Sequence, residues 1–444
     1  MSDLLGLGAS GVRGYARALQ TIGDNIANAQ TPGFARRSTT LSEQTGSGQS
    51  VLYRNQIAPN GVVVGGVARA VDPWLIDDAR AASSDAARSG TRLSGLEATE
   101  TALDDGSAGI GRAMTALFNR ADELATDPAS TTRRSAFLQS VDDVAATFRR
   151  TADGLSRAAG GVAMAASVTV DRLNTDTAAL AKVNDGLRRA RDGSTNQATL
   201  LDERDRLLDS ISATLPVTID YDARGAASLS VAGATLLAGA DRATLTVTSA
   251  TDGRLSLAAM LPAGTIAVAP QNGSLAGQIT AADHIASQRS ALDTLASDFA
   301  TQINTQHAAG RDPAGRPGAD LFALATGAAD IVAVALSPAA VAATDASGAN
   351  GNALAFGSLR GATGGVASWA AMVAQQSQAV ASARAHDSAA TNRRDGTASA
   401  RGALSSVDLD REAADLVRYQ QAYEASARVI QVARETMQSI LNAL

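Results

Sequence analysis

The stretch DLDREAADLVRYQQAYEASARVIQVARETMQSILNAL, residues 408–444, decides how the ends of this chain fold. Apolar residues return every seven positions, at Leu409, Leu416, Tyr423, Ile430, Met437 and Leu444, with Ala413, Tyr419, Ala427 and Leu441 beside them. Seven-residue spacing marks a helix that packs along a seam against another helix. Asp408 is an N-cap candidate, because its carboxylate can accept from the free N–H groups of the first turn. A second row stands at the other end, at Leu5, Val12, Leu19 and Ile26, with Tyr15 and Ile22 at the second seam position. Two long terminal helices pairing as a coiled coil are therefore expected. On periodicity alone the alternative is two ordinary amphipathic surface helices, whose apolar stripes look alike. The chain begins and ends inside the two rows, which favours docked over loose ends.

Working inward, residues 3–28 read as a helix that stops near Asn28, because Thr31-Pro32-Gly33 follows and proline disfavours helix in the residue before it. From Arg36 to Val71 the text is β-prone, with short strands expected at Val51-Leu52-Tyr53 and Val62-Val63-Val64, bounded by Asn60-Gly61 and Gly65-Gly66. Asp72-Pro73-Trp74 opens a helix, with Asp72 as cap and Pro73 in the first turn. Ala- and Arg-rich helical text runs on to Leu215, with breaks expected near Asp104 to Gly111, at Asp127-Pro128 and at Gly160-Gly161. After Pro216, short runs such as Ser228 to Val231, Thr244 to Thr248 and Thr265 to Val268 alternate with Gly, Asp and Pro, as in a small antiparallel β unit. Helical spacing returns at Leu275, Ile279, Ile285, Leu292, Leu295, Phe299 and Ile303. Residues 319–364 carry no clear pattern, a helix is expected from Val366 to Thr391, and a polar break follows to Ser406. The expected fold is mainly α with a smaller β part (α+β). Its divisions are 1–71, an N-terminal seam helix with a β-prone extension; 72–215, the first part of a helical core domain; 216–272, a small β insert; 273–404, the second part of the core; and 405–444, the C-terminal seam helix.

At 444 residues the chain has room for two or three domains of roughly 100 to 200 residues each. Apolar content is 45% but aromatic content only 3%, so the apolar share is mainly Ala, Leu and Val, which suits helices with shallow, closely packed faces. Lys182 is the only lysine, and arginine supplies the other cations against 44 acids, for a net charge of −6 that argues against a nucleic-acid partner. The pairs Arg36-Arg37, Arg133-Arg134, Arg149-Arg150 and Arg188-Arg189 lie among acids and are expected on solvated helix faces. The absence of cysteine excludes disulfides, thiolate catalysis and Cys-ligated metal. The N-terminus has no basic region ahead of an apolar run, so no cleaved secretory signal is expected, and no window nears the roughly 18 apolar residues of a membrane span.

Gly6-Leu7-Gly8-Ala9-Ser10-Gly11 has the letters of a dinucleotide-binding loop but no strand before it, so its small residues are read as a place where helices approach closely. His284, His307 and His386 have no acidic or histidine neighbour at metal-ligand spacing. The acid pairs Asp77-Asp78, Asp104-Asp105 and Asp142-Asp143 point in different directions on a helix and are read as surface charge. No catalytic residue, metal or cofactor is expected.

Four stretches carry a family identity. Asn25-Ile26-Ala27-Asn28-Ala29-Gln30-Thr31-Pro32-Gly33-Phe34 resembles the signature shared by bacterial flagellar rod, hook and hook-associated proteins, with Asn25, Asn28, Thr31, Pro32 and Gly33 its marker residues. Leu200-Leu201-Asp202-Glu203-Arg204-Asp205-Arg206-Leu207-Leu208, the segment from Gly273 through Ile303-Asn304-Thr305-Gln306-His307 to Asp320-Leu321-Phe322, and Val407-Asp408-Leu409-Asp410-Arg411-Glu412 through Tyr423 to Gln431 resemble the family of flagellar hook-associated protein 1. Phe34 stands where that family usually has tyrosine, and the long β-rich segment that larger members carry beyond the Leu-Phe pair is missing after Phe322, which implies a reduced outer domain. The resemblance implies a structural, non-enzymatic junction adaptor between hook and filament, with the terminal helices in the inner layer of a tube. The alternatives are a hook or distal rod protein and, less favoured, a flagellum-associated wall hydrolase. It further implies a ring of copies of the chain itself, the hook protein and hook-associated protein 3 as neighbours, an export chaperone on the C-terminal helix, and type III export to the outside of the cell. The assembly interface is expected at Leu5, Val12, Leu19, Ile22 and Ile26 and at Leu409, Leu416, Tyr419, Tyr423, Ile430, Met437 and Leu441.

Overall fold

A computed structural model describes residues 2–45, 59–104, 106–231, 233–239, 241–261, 264–361 and 364–443. Val51-Leu52-Tyr53, Asp105 and Leu444, named above, lie outside the described residues. The chain divides into two compact units, one formed by residues 1–83, 173–244 and 392–444, the other by residues 84–172 and 245–391.

In the first unit, helix α1 (Ser2–Ala27) is followed by strands β1 (Arg37–Thr45) and β2 (Pro59–Arg69), which pair antiparallel with Arg37 opposite Arg69. The strand seen in Val62-Val63-Val64 is longer than its three valines and runs on past Gly65-Gly66, because the register shifts there: Thr40 faces Gly66 and Leu41 faces Val64, so one extra residue is absorbed as a bulge. Helix α2 (Pro73–Leu103) starts as expected, with the Asp72 carboxylate accepting from Trp74 N–H at 2.8 Å.

Helices α3 (Ile110–Thr126), α4 (Thr131–Arg189) and α5 (Thr195–Thr214) follow; α4 runs unbroken through Gly160-Gly161, where a break is expected, since glycine costs a helix only about 1 kcal/mol per residue, and α2 and α4 each give residues to both units. Residues 216–272 form two sheets instead of one insert. Strands β3 (Thr218–Tyr221), β4 (Ala227–Val231), β5 (Ala234–Ala238) and β6 (Asp241–Arg242) make one, in the first unit. Strands β7 (Thr244–Ser249), β8 (Leu255–Leu261) and β9 (Gly264–Val268) make the other, which from Leu245 belongs to the second unit. The apolar partners separate them: Leu255 packs with Ala166 and Ala282, whereas β4 is held by Asn184, whose amide donates to Ala227 C=O and accepts from Ala227 N–H.

The second unit buries a large core. Met114, Phe118, Phe137, Phe148, Phe299 and Trp369 meet there, contributed by α3, α4, α6 (Gly273–Ala309) and α8 (Gly365–Ser405). The patternless residues 319–364 complete this core through Leu321, Phe322, Ile331, Val341 and Phe356. They do so with a two-strand ladder of β10 (Phe322–Ala323) and β11 (Val332–Ala333), a 3-10 turn at Pro338–Ala340 and the short α7 (Gly351–Ala355). No polar break interrupts α8, which continues to Ser405. Its polar residues make ion pairs within the first unit, Arg393 with Asp78 and Arg401 with Asp209. Helix α9 (Leu409–Ala443) closes the chain, capped by the Asp408 carboxylate, which accepts from Asp410 N–H and Arg411 N–H.

Candidate assembly interface

Helix α9 lies along α1 in antiparallel sense. Tyr15 and Tyr419 meet at 6.1 Å between ring centroids, and Asn25 hydrogen-bonds to Glu412. Two glycines of the Gly6–Gly11 stretch, Gly8 and Gly11, stand against α9. A Cβ on Gly8 would stand 2.6 Å from Ile430 Cγ1, and one on Gly11 2.6 Å from Ser426 Oγ. Small residues thus let the two helices approach closely.

The expected seam residues divide along this pair. On α1, Ile22 is buried, Leu5, Val12 and Leu19 are half-buried, and Ile26 is exposed. On α9, Leu416, Tyr419 and Ile430 are half-buried, while Leu409, Tyr423, Met437 and Leu441 are exposed. A straight helix drifts about 20° per heptad against a seven-residue row, so the row cannot keep facing α1 along its whole length. Among the described residues α9 buries only Glu412 and Ala433, leaving Val417, Val429, Val432 and Ile440 exposed as well.

The signature residues gather at the C-terminal end of α1. Asn25, with 0% of its surface exposed, accepts from Arg37 N–H and donates to Arg37 C=O and to the Glu412 carboxylate at 2.9 Å. Asn28 donates to Asp24 C=O and accepts from the Thr31 hydroxyl, which closes the turn. Thr31, Pro32 and Gly33 are exposed, and with Phe34, Asp202 and Arg206 they border a cleft of about 360 Å³.

Behind this turn lies a buried ionic cluster that sequence reasoning missed. Asp202 accepts from Arg37 at 2.6 Å and from Arg69 at 2.8 Å; Asp205 accepts from Arg69 and Arg204; Asp209 accepts from Arg80 and Arg401. Burial alone would push the Asp205 carboxyl up, but Arg204 and Arg69 outweigh it and hold the group below the usual carboxylate range. The arginine pairs are accordingly not all solvated helix faces. Arg37 is a buried strand residue, Arg36 pairs with Glu412, and Arg134 is buried donating to the Pro128 and Val341 carbonyls. The available signal was Asp205 on the apolar face of α5, four residues after Leu201 and three before Leu208: a carboxylate there needs a buried partner.

In the second unit the family-like stretch 303–322 works in the same way. Asn304 accepts from Leu321 and Phe322 N–H and donates to Phe322 C=O. His307, also 0% exposed, donates through Nδ1 to Ala319 C=O at 2.5 Å and accepts at Nε2 from Ala342 N–H at 2.9 Å, which fixes a neutral tautomer. His284 is tied to Gln376, and Gln376 to Leu96 C=O. No group of three His, Cys, Asp or Glu side chains among the described residues is arranged to hold a metal, and none of their helices is long and apolar enough to cross a membrane.

Residues 96–322, just over half of the chain, match the family described as flagellar hook-associated protein FlgK helical domain. The chain belongs to that family. Residues 400–443, which include α9, also match the flagellar basal body rod FlgEFG protein C-terminal family. Flagellar hook-associated protein 1 of Salmonella typhimurium is 27% identical over 334 residues, covering 73% of this chain and 60% of the relative, so the chain spans about three-fifths of that relative's length. The Bacillus subtilis protein of the same name is 24% identical over 484 aligned positions, covering 96% and 95%. The flagellar hook junction protein FlgK from Burkholderia pseudomallei shares the fold, with a TM-score of 0.50 and 22% identity, over 56% of this chain and 46% of that one. The mainly α architecture with small antiparallel sheets is therefore that of a hook-associated protein, and the clamps at Asp202, Asn304 and His307 lie inside the matched helical domain.

Proposed function

We propose that this chain is a structural adaptor of the bacterial flagellum, seated outside the cell at the junction of hook and filament, without catalytic activity. The observation that carries the reading is the apolar surface of α9. Leu409, Val417, Val432, Met437 and Leu441 stand exposed along a helix that spends little of its surface on its own chain. Exposed apolar residues in such numbers on one element fit a partner surface. That partner is read as the terminal helices of neighbouring copies in a ring, with hook protein on one side and hook-associated protein 3 on the other. An export chaperone would occupy α9 beforehand. In this reading Leu5, Val12, Leu19, Ile22 and Ile26 with Leu409, Leu416, Tyr419, Tyr423, Ile430, Met437 and Leu441 form the interface, and Asn25 to Gly33 shape its end. The relatives' names support the placement.

The test is to add the purified chain to isolated hooks stripped of filament and to image them by electron microscopy. Binding confined to the distal tip, without tube growth, supports the junction role. Growth into hook-like tubes would make the chain a hook protein instead, and no binding would remove the proposal.

A further inference from the structure

We infer that Glu412 is the positioning residue that sets the register of α9 on α1, and so decides which of its side chains face outward for assembly; the link to assembly rests on the reading above. Glu412 is a charged side chain with 0% exposure on a helix that is otherwise almost entirely in contact with solvent. Its two carboxylate oxygens are used by two different elements. One accepts from Asn25 of α1 at 2.9 Å, the other from Arg36 Nε, just ahead of β1, at 2.7 Å. Arg36 is itself fixed by a backbone bond to Ser405 C=O at 2.8 Å and reaches Asp415 at 3.5 Å. Both N–H donors of Asn25 are used, one on Glu412 and one on Arg37 C=O, and its Oδ1 accepts from Arg37 N–H.

Among the described residues, the Glu412–Asn25 bond is the only side-chain hydrogen bond between α9 and α1. The other contacts named above, Gly8 and Gly11 against Ser426 and Ile430 and one tyrosine pair, are packing contacts, less directional than the two hydrogen bonds on Glu412. Sliding α9 by one turn would bring Leu416 or the shorter Asp408 to the site of Glu412. Either leaves Arg36 and Asn25 buried and poorly matched, which is expensive in a site closed to water. A single buried polar residue fixing the alignment of an otherwise permissive helix pair is a well-attested device. With Glu412 in place, Leu409, Tyr423, Met437 and Leu441 are held on the solvent side.

The experiment compares the full-length chain with Glu412→Ala and with Glu412→Gln, which keeps the shape and one acceptor. Amide hydrogen exchange is read over residues 409–433, and binding to stripped hook tips is scored in parallel. Wild-type α9 should be protected. Glu412→Ala should speed its exchange by about a hundred- to a thousandfold, the usual consequence of removing one partner of a buried ion pair, leave residues 110–155 unchanged, and abolish tip binding. Glu412→Gln should fall between the two. Equal exchange in wild type and Glu412→Ala, an unprotected wild-type α9, or accelerated exchange with undiminished tip binding would each overturn the inference. A wild-type chain that ignores hooks would count against the proposed function, and the exchange comparison alone would then decide the role of Glu412.

Discussion

His307 and Asp205 show what single buried polar groups contribute here. Burial pushes the His307 imidazole below its ordinary value of 6.5, the Ala319 carbonyl and Asp320 opposing only in part. The folded chain therefore keeps His307 neutral while the unfolded chain takes up a proton as pH falls below about 6.5. Stability from this group is complete above that value and declines as pH drops toward the lowered folded pKa, below which it is lost. Thermal unfolding between pH 7.5 and 5 should show this decline, and His307→Leu should flatten it while costing ~1–3 kcal/mol for each backbone group left without a partner. A slope unchanged in the variant would refute the assignment. Asp205→Ala removes the carboxylate from Arg69 and Arg204, so it should destabilise the first unit by about 3–5 kcal/mol in urea titrations.

Between elements, closeness is set by glycine. At Gly8 any side chain meets Ile430 and the Ser426 carbonyl, so Gly8→Leu should force α9 outward at a cost of about 1–3 kcal/mol. The check is a distance measurement between spin labels on the outer faces of α1 and α9, which should lengthen in the variant; an unchanged distance would mean that the pairing is looser than described. Gly66 and Gly193 show the same economy where β2 meets the α4–α5 loop. Each has positive φ, a Cβ on Gly66 would stand 2.9 Å from Gly193 Cα, and Gly193 C=O accepts from Val67 N–H at 2.8 Å.

For the molecule as a whole, the second unit owns a core separate from α1 and α9. Leu416→Asp or Ile430→Asp should therefore abolish binding to hook tips and leave that core intact. Trp369 reports on it directly, being buried there, and Trp74→Phe removes the other indole, which is 70% exposed. In that background the Trp369 emission maximum should be the same with and without the aspartate. A red shift would mean that the seam supports that core, and normal tip binding would mean that it is not the interface.

Local text settled the long helices, their caps at Asp72 and Asp408, the turn at Thr31-Pro32-Gly33 and the mainly α class, because caps, proline and apolar period act within a few residues. Where the expectation of one β insert and of a helix ending at Thr391 failed, the outcome was decided elsewhere. Strands after Leu245 follow the apolar surface offered by Ala166 and Ala282, and the polar end of α8 stays helical because Asp78 and Asp209 pair with its arginines. The ionic cluster depends most on the folded chain. Arg37 and Asp202 are 165 residues apart and Asn25 and Glu412 are 387 apart, and no periodicity can announce a partner at that distance. Sequence specified the segments that could be helices and the faces that were apolar; folding chose which charges would be buried together, since only there does each find the partner that makes its burial tolerable.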